Sequence, residues 1–352
     1  SELLAIENEL KAPGSNEYGR VDRVAGWFLL ARMYLNAQTW INENKYQEAY
    51  AYAVKVIADG HYPLASDYRE IFLADNNTCK EIIWPLVQDG LRAQSSAGTN
   101  FYVKAFVNGP MDELYKTGVG SRGWGNVRAK VSLVDAFDAD DVMFDGNDTW
   151  GNNKKDKRAQ FMTALPNQVK DTWDVNMDMT STFTCGYGYI KWRNVTKEDE
   201  LCPSGDAYTS IDFPLFRTAD AYLMAAEAIL RGANGTQSEA LGYVNEVRTR
   251  AYMSGKYAKN GVRSDVSGEI TANELNLDFL LVERQKELAS ELTRRTDLIR
   301  FGKYTKGNNW DWKNGVRLGA DVDDKYNLFP IPESELTNNP TLVQNDGYKV
   351  IK

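Results

Sequence analysis

Helical periodicity built from small and aromatic residues constrains this chain most. In the first sixty residues Val24, Trp27, Phe28, Ala31, Tyr34 and Leu35 recur at spacings of three and four, and Tyr46, Ala49, Tyr50, Ala53, Val54 and Ile57 repeat the pattern. Asn42, Glu43 and Asn44 separate the two runs and Gly60 stops the second, which predicts an antiparallel helical hairpin whose alanines let the helices approach closely. Far along the chain the pattern returns. Tyr222, Leu223, Ala226, Ile229 and Leu230 form one stripe, residues 232–235 turn the chain, and Ala240, Leu241, Val244, Val247 and Ala251 form the other. A third long helical region, residues 274–301, carries Leu277, Leu281, Leu288 and Leu292. The expectation is a mainly α protein.

Leu30, Ala31 and Tyr34, then Ala49 and Ala53, resemble the two helix positions of a tetratricopeptide repeat (TPR), as does the small-residue pattern around Ala226 and Ala240. The loops are longer than a regular repeat allows, and two TPR-like pairs are too few for a solenoid. Between the pairs, residues 75–215 change character. Gly, Asn, Asp, Ser and Thr punctuate short apolar runs such as Glu81-Ile82-Ile83-Trp84 and Gly188-Tyr189-Ile190-Lys191-Trp192, which read as a loop-rich insertion with a few short strands. Loops this long in a compact protein usually carry function. The length, 352 residues, suits one large domain or about two. We read residues 1–74 as a helical scaffold, 75–215 as a ligand-binding region and 216–352 as the second hairpin with the C-terminal region, in one continuous domain.

Several function classes recede. Lys plus Arg number 41 against 49 Asp plus Glu, a net charge of −8 with no basic block, so the footprint that a nucleic acid requires is missing. No apolar run reaches the roughly 18 residues of a membrane span. Ser1 opens no signal peptide, which suggests that targeting information lies outside this sequence. Cys79, Cys185 and Cys202 match no zinc spacing; an isolated Cys185–Cys202 bridge and three small buried thiols both stay open. His61, the only histidine, directly follows a helix end in Asp59-Gly60-His61-Tyr62-Pro63, a turn position more than a catalytic one. No nucleophile elbow, Walker loop or dinucleotide fingerprint occurs. A glycosidase needs only two facing carboxylates, so that alternative stays open. Asp138, Asp140, Asp141, Asp145, Asn147 and Asp148 cluster near Gly146 without the EF-hand spacing; a solvated acidic loop and a calcium site are the two readings, and no other cofactor is expected. Glu283, Arg284, Glu287, Glu291, Arg294 and Arg295 fall largely at helical spacings, which predicts a self-neutralising solvated face or a structural ion-pair network.

Aromatic residues make up 12% of the chain, and too many lie in Gly/Asn-rich sequence for all to be core. Asn100-Phe101-Tyr102, Tyr115, Ser121-Arg122-Gly123-Trp124-Gly125-Asn126, Trp150, Trp310 and Trp312 are of this kind. Flat rings stack on the apolar faces of sugars while Asn, Asp and Arg bond to hydroxyls at the edges. The same rings can equally anchor loops into the core.

Collinear segments add a family resemblance. In order they include Tyr18-Gly19-Arg20, Leu30-Ala31-Arg32-Met33-Tyr34-Leu35-Asn36-Ala37, Ala53-Val54-Lys55-Val56-Ile57, Tyr62-Pro63-Leu64, Gly123-Trp124-Gly125, Asp220-Ala221-Tyr222-Leu223-Met224-Ala225-Ala226-Glu227-Ala228 and Val244-Asn245-Glu246-Val247-Arg248. Glu283-Arg284-Gln285-Lys286-Glu287-Leu288, Asp297-Leu298-Ile299-Arg300-Phe301-Gly302-Lys303, Pro330-Ile331-Pro332 and Gln344-Asn345-Asp346-Gly347-Tyr348 close the series. Together they resemble the SusD/RagB family of outer-membrane nutrient-binding proteins.

That resemblance implies a SusD-like fold with TPR-like helix pairs as scaffold. It also implies a non-enzymatic, surface-exposed lipoprotein of Bacteroidetes that binds a glycan, starch-like glucan being one class, and passes it to a SusC-like TonB-dependent transporter. The membrane would be met only through an N-terminal lipid anchor, and further helices of the family fold are expected ahead of Ser1. Trp124 and Tyr102 fall where the family's ligand-binding aromatic arc is expected; Asn100, Phe101, Arg122 and Asn126 join by adjacency. Trp150 lies in a stretch, residues 145–156, longer than the usual family spacing. Glu283, Asp297 and Arg300 recur in the family whatever the ligand, which implies scaffold ion pairing. A glycan-independent protein-interaction module remains a further alternative.

Overall fold

The computed structural model describes residues 2–108, 112, 115–142, 154–163, 187–253 and 267–349. Its helices are α1 (Glu2–Ala5), α2 (Arg23–Ile41), α3 (Tyr46–Asp59), α4 (Thr99–Ala105), α5 (Val131–Val134), α6 (Ala139–Val142), α7 (Thr218–Leu230), α8 (Gln237–Met253), α9 (Leu277–Leu288), α10 (Arg294–Arg300) and α11 (Glu333–Asn338). Among the described residues four short strands, β1 (Ile82–Leu86), β2 (Phe161–Thr163), β3 (Tyr187–Tyr189) and β4 (Phe213–Arg217), form two antiparallel pairs, β1 with β4 and β2 with β3. The fold is mainly α, as the periodicity predicts.

Asp22 caps α2 by accepting from the Ala25 N–H at 3.2 Å, and Asn42 ends it in a left-handed conformation with φ 57°. Gly60 ends α3 in the same way, at φ 78°. Alanines permit close approach: Ala31, Ala49, Ala53, Ala221, Ala225 and Ala228 are fully buried where α2, α3 and α7 pack together. Phe28 stacks on Phe216 there, centroids 4.6 Å apart. Helix α7 is buried almost all round, between α3 on one side and α8 on another, so its apolar residues exceed the single stripe legible in sequence.

The loop-rich stretch leaves the helical layers and returns through one neck. Strand β1 pairs with β4, β4 runs directly into α7, and Pro85 faces Pro214 where the register shifts, as suits residues that cannot donate a ladder bond.

The third helical region is not one helix. It breaks between Leu288 and Arg294, where Ser290 and Leu292 take φ of 62° and 61°. Glu291 turns inward between them, Oε2 accepting from Arg217 Nε at 2.6 Å, and Leu292 is left 74% exposed instead of sharing the core stripe. The charged set of this region is neither solvated nor mainly paired within its own helix. Glu283 accepts from Arg158 and Arg248, each at 2.6 Å, and Glu287 from Arg158 at 3.1 Å, Arg217 at 2.6 Å and Arg250. Glu81 completes the group, accepting from Arg217 at 2.9 Å and Arg250 at 2.6 Å. A second group joins Glu227 to Arg300 (2.7 and 2.8 Å), Asp297 to Arg284 and Arg300, and Asp220 to Arg32 and Arg284. These are structural ion-pair networks whose partners come from segments far apart in sequence.

Candidate functional site

Helix α4 sits over the neck. Trp192, just beyond β3, and Phe213 at the start of β4 lie parallel with centroids 5.5 Å apart, and Phe72 meets Trp192 edge-on at 4.9 Å. Tyr102 on α4 stacks on Trp192 at 5.4 Å and lies 5.8 Å from Phe213, so its half-buried ring belongs mainly to this base. Burial pushes its hydroxyl pKa up. The next residue back is turned by about 100° around the helix, and Phe101 is accordingly 42% exposed.

A helix leaves its last carbonyls without partners, and residues 124–127 supply them. The N–H groups of Trp124, Gly125 and Asn126 donate to the carbonyls of Lys104, Val107 and Ala105, each at 2.8 Å. This clamp holds Trp124 beside Phe101, ring centroids 6.2 Å apart and planes inclined at 57°. Glycine is required at 123 because a Cβ there would meet the Val107 carbonyl oxygen at 2.6 Å; Gly125 supplies a φ of 60°.

Of the residues singled out from sequence, Phe101, Arg122, Trp124 and Asn126 are exposed, and Phe101 and Trp124 meet. The Arg122 guanidinium donates to Asp206 at 3.0 Å. Asn100 does not reach this surface: it is 2% exposed, and its amide donates inward to the Ser95 carbonyl at 3.0 Å. Trp150 lies outside the described residues. Trp310 is in contact with Tyr304, centroids 5.8 Å apart, on the C-terminal part of the chain. Sequence reasoning missed Trp192 and Phe213 as the base of the platform. It also missed a cleft of ≈ 650 Å³ beside Phe101 and Tyr102 whose other walls include Leu86, Gln88, Leu215 and Leu292. Leucines drawn from distant segments leave no local signal.

Other candidates resolve differently. Asp141 is buried and accepts from the backbone N–H groups of Lys155 and Asp156 at 2.7 and 3.1 Å, while Asp145, Asn147 and Asp148 of the acidic segment lie outside the described residues. Among the described residues no three His, Cys, Asp or Glu side chains are grouped to hold a metal ion. His61 is exposed, its Nδ1 2.8 Å from Asp59 Oδ1. Cys202 is a buried free thiol 3.0 Å from the Ser204 hydroxyl, and Cys185, the other half of the bridge considered from sequence, lies outside the described residues. No helix among the described residues is long and apolar enough to cross a membrane.

The architecture is that of the SusD superfamily. A SusD-like protein from Bacteroides fragilis matches 99% of this chain and 69% of its own at a TM-score of 0.66 and 21% identity. Surface glycan-binding protein A from Bacteroides thetaiotaomicron, solved in complex with laminarihexaose, matches 97% of this chain and 68% of its own at a TM-score of 0.61 and 22% identity. In sequence, the family model described as SusD family matches residues 80–348, and starch-binding protein SusD of Bacteroides thetaiotaomicron is 33% identical over 99% of this chain. The chain belongs to the SusD family. It spans 64% of the length of that starch-binding relative.

Proposed function

We propose that this chain is a glycan-binding component of an outer-membrane uptake system. It captures an oligo- or polysaccharide at the cell surface without cleaving it and delivers it to a SusC-like TonB-dependent transporter. The observation that carries the reading is the exposed ring pair Phe101–Trp124, fixed on the end of α4 by backbone hydrogen bonds and flanked by Arg122 and Asn126. Two rigid rings at an angle offer stacking faces for consecutive sugars, and flanking amide and guanidinium groups offer partners for hydroxyls. The starch-binding relative and the laminarihexaose complex support a glucan as the first ligand class to test.

Binding without hydrolysis fits the carboxylates. Glu81, Glu283, Glu287 and Glu291, gathered around shared basic side chains, are buried and engaged by arginine or lysine. Burial pushes the Glu287 carboxyl up, but Arg250, Arg217 and Arg158 outweigh it and hold it well below the usual range. A glycosidase acid needs the opposite shift and access to the substrate. Affinity should be modest, because a few stacking contacts of about 1 kcal/mol each must offset the ordering of a flexible ligand.

Calorimetry against glucans, mannans, mucin glycans and N-glycans, with a reducing-sugar assay on the same mixtures, tests the proposal. Binding of one class with no sugar release supports it. No binding by any glycan, or release of reducing ends, sinks it.

A further inference from the structure

A cleft of ≈ 380 Å³ opens between residues 128–133 and the junction of α9 with α10, and Tyr304 and Trp310 also line it. Its charged lining is one-sided: Arg128, Lys130, Arg284, Arg294 and Arg295 face it, and among the described residues no carboxylate does. Arg284 already holds Asp297 at 2.9 and 3.0 Å, and Lys130 Nζ lies 3.6 Å from Asp311 Oδ2. Arg294 and Arg295 differ. Arg294 donates to the Leu281 carbonyl at 2.8 Å and to Gln285 Oε1 at 2.7 Å. Arg295 donates to the carbonyls of Tyr326 and Asn327 at 2.9 and 3.1 Å and lies over the rings of Tyr304 and Phe329, 4.9 and 4.1 Å from their centroids. These partners are neutral.

Burial lowers the Arg294 guanidinium to about 10, Asp297 opposing the shift and Arg284 adding to it, so it stays a cation at neutral pH while partly stripped of water. Such a cation gains more from an incoming anion than a fully hydrated one does, and a guanidinium fork matches carboxylate oxygens in pairs. Tyr304 and Trp310, inclined at 36°, add ring surface, with Arg295 over the Tyr304 ring and Lys313 Nζ 4.7 Å from the Trp310 centroid, and Ser132, Thr293 and Asn308 add hydroxyl and amide partners.

We propose that this cleft is a second carbohydrate site, separate from the Phe101–Trp124 surface, which takes a uronic-acid unit with its carboxylate on Arg294 and Arg295 and its ring against Trp310. Only the choice of a sugar over another carboxylate rests on the glycan-binding role proposed above. Trp124 precedes Arg128, which lines the cleft, by four residues, at most about 14 Å of extended chain.

The test is calorimetry of the full chain with glucuronic acid, glucose and acetate at low and high salt. Glucuronic acid is expected to bind at least about tenfold more tightly than either comparator, a difference that salt reduces. Arg294→Gln and Trp310→Ala should each weaken it about tenfold, and Trp124→Ala should leave it unchanged. Equal affinity for glucose and glucuronic acid, or acetate as tight as glucuronic acid, overturns the assignment. So does wild-type affinity in Arg294→Gln with an unmoved melting temperature; if that variant does not fold, Arg295→Gln takes its place with the same expectation. Absence of neutral-glycan binding by the unmutated chain, with glucuronic acid still bound, would count against the Phe101–Trp124 reading and leave this one standing.

Discussion

The indole of Trp192 lies parallel to the ring of Phe213, 5.5 Å between centroids and 10° between planes, and the exposed aromatic surface rests on that stack through Tyr102. Trp192 is 1% exposed, so Trp192→Ala should remove about 3–5 kcal/mol of stability, the range for large aromatic truncations in a core. Urea denaturation checks this. A loss below about 1 kcal/mol would mean that the stack is not part of the core.

Trp124 and Tyr102 should separate in behaviour. Trp124→Ala is expected to weaken glycan binding about fivefold, the equivalent of one stacking contact near 1 kcal/mol, with the melting temperature unchanged. Tyr102→Ala should lower both. Parallel titration and thermal unfolding of the two variants distinguishes a ligand-facing ring from a supporting one.

Gly123→Ala probes the clamp on α4. The added methyl would meet the Val107 carbonyl oxygen at 2.6 Å and Asn108 Cα at 2.8 Å, both backbone atoms that cannot rotate away. We expect a loss of about 1–3 kcal/mol and weaker glycan binding, because Trp124 moves with the segment. Unchanged affinity in the folded variant would show that the exact seat of Trp124 does not matter to the ligand.

Acid should loosen the second ionic group before it affects the apolar clusters. Burial alone would raise the carboxyls of Asp220 and Glu227, but arginines, chiefly Arg284 for the first and Arg300 for the second, outweigh it and bring them to about 2 from ordinary values of 3.8 and 4.5. The unfolded chain then binds protons more readily than the folded one. Their contribution is complete above pH 4.5 and falls away as pH drops toward about 2. Equilibrium unfolding between those limits should show falling stability, and Glu227→Gln should flatten the slope.

The helical pairs were legible because their information is local: Phe28, Ala31, Ala49 and Ala53 recur at the period of the helix, and Asn42 and Gly60 mark its ends. The surface was half legible. Gly123-Trp124-Gly125 announces a ring on a tight backbone path, whereas the inward turn of Asn100 depends on where α4 meets the chain beneath it. The break after Leu288 was illegible, because what pulls Glu291 inward is Arg217, 74 residues earlier. Leu292 kept a helical spacing on paper and lost it in space. Charge pattern misled in the same way: Glu287 looks like a partner for Arg284, and Glu291 for Arg294 and Arg295, along one helix, yet Glu287 meets Arg158, Arg217 and Arg250 and Glu291 meets Arg217 and Lys191 from other elements.

Those crossed pairings also set alignment. An apolar helix can slide by one turn, about 5.4 Å, and still bury leucine against leucine. Helix α9 has less freedom, since Glu283 and Glu287 lie one turn apart and a one-turn slip can put one of them in the other's place but leaves the second place empty, its guanidiniums dry and uncompensated. The buried carboxylates thus act as a key for a single assembly, and they lock the neck of the loop-rich stretch to the C-terminal helices in one alignment.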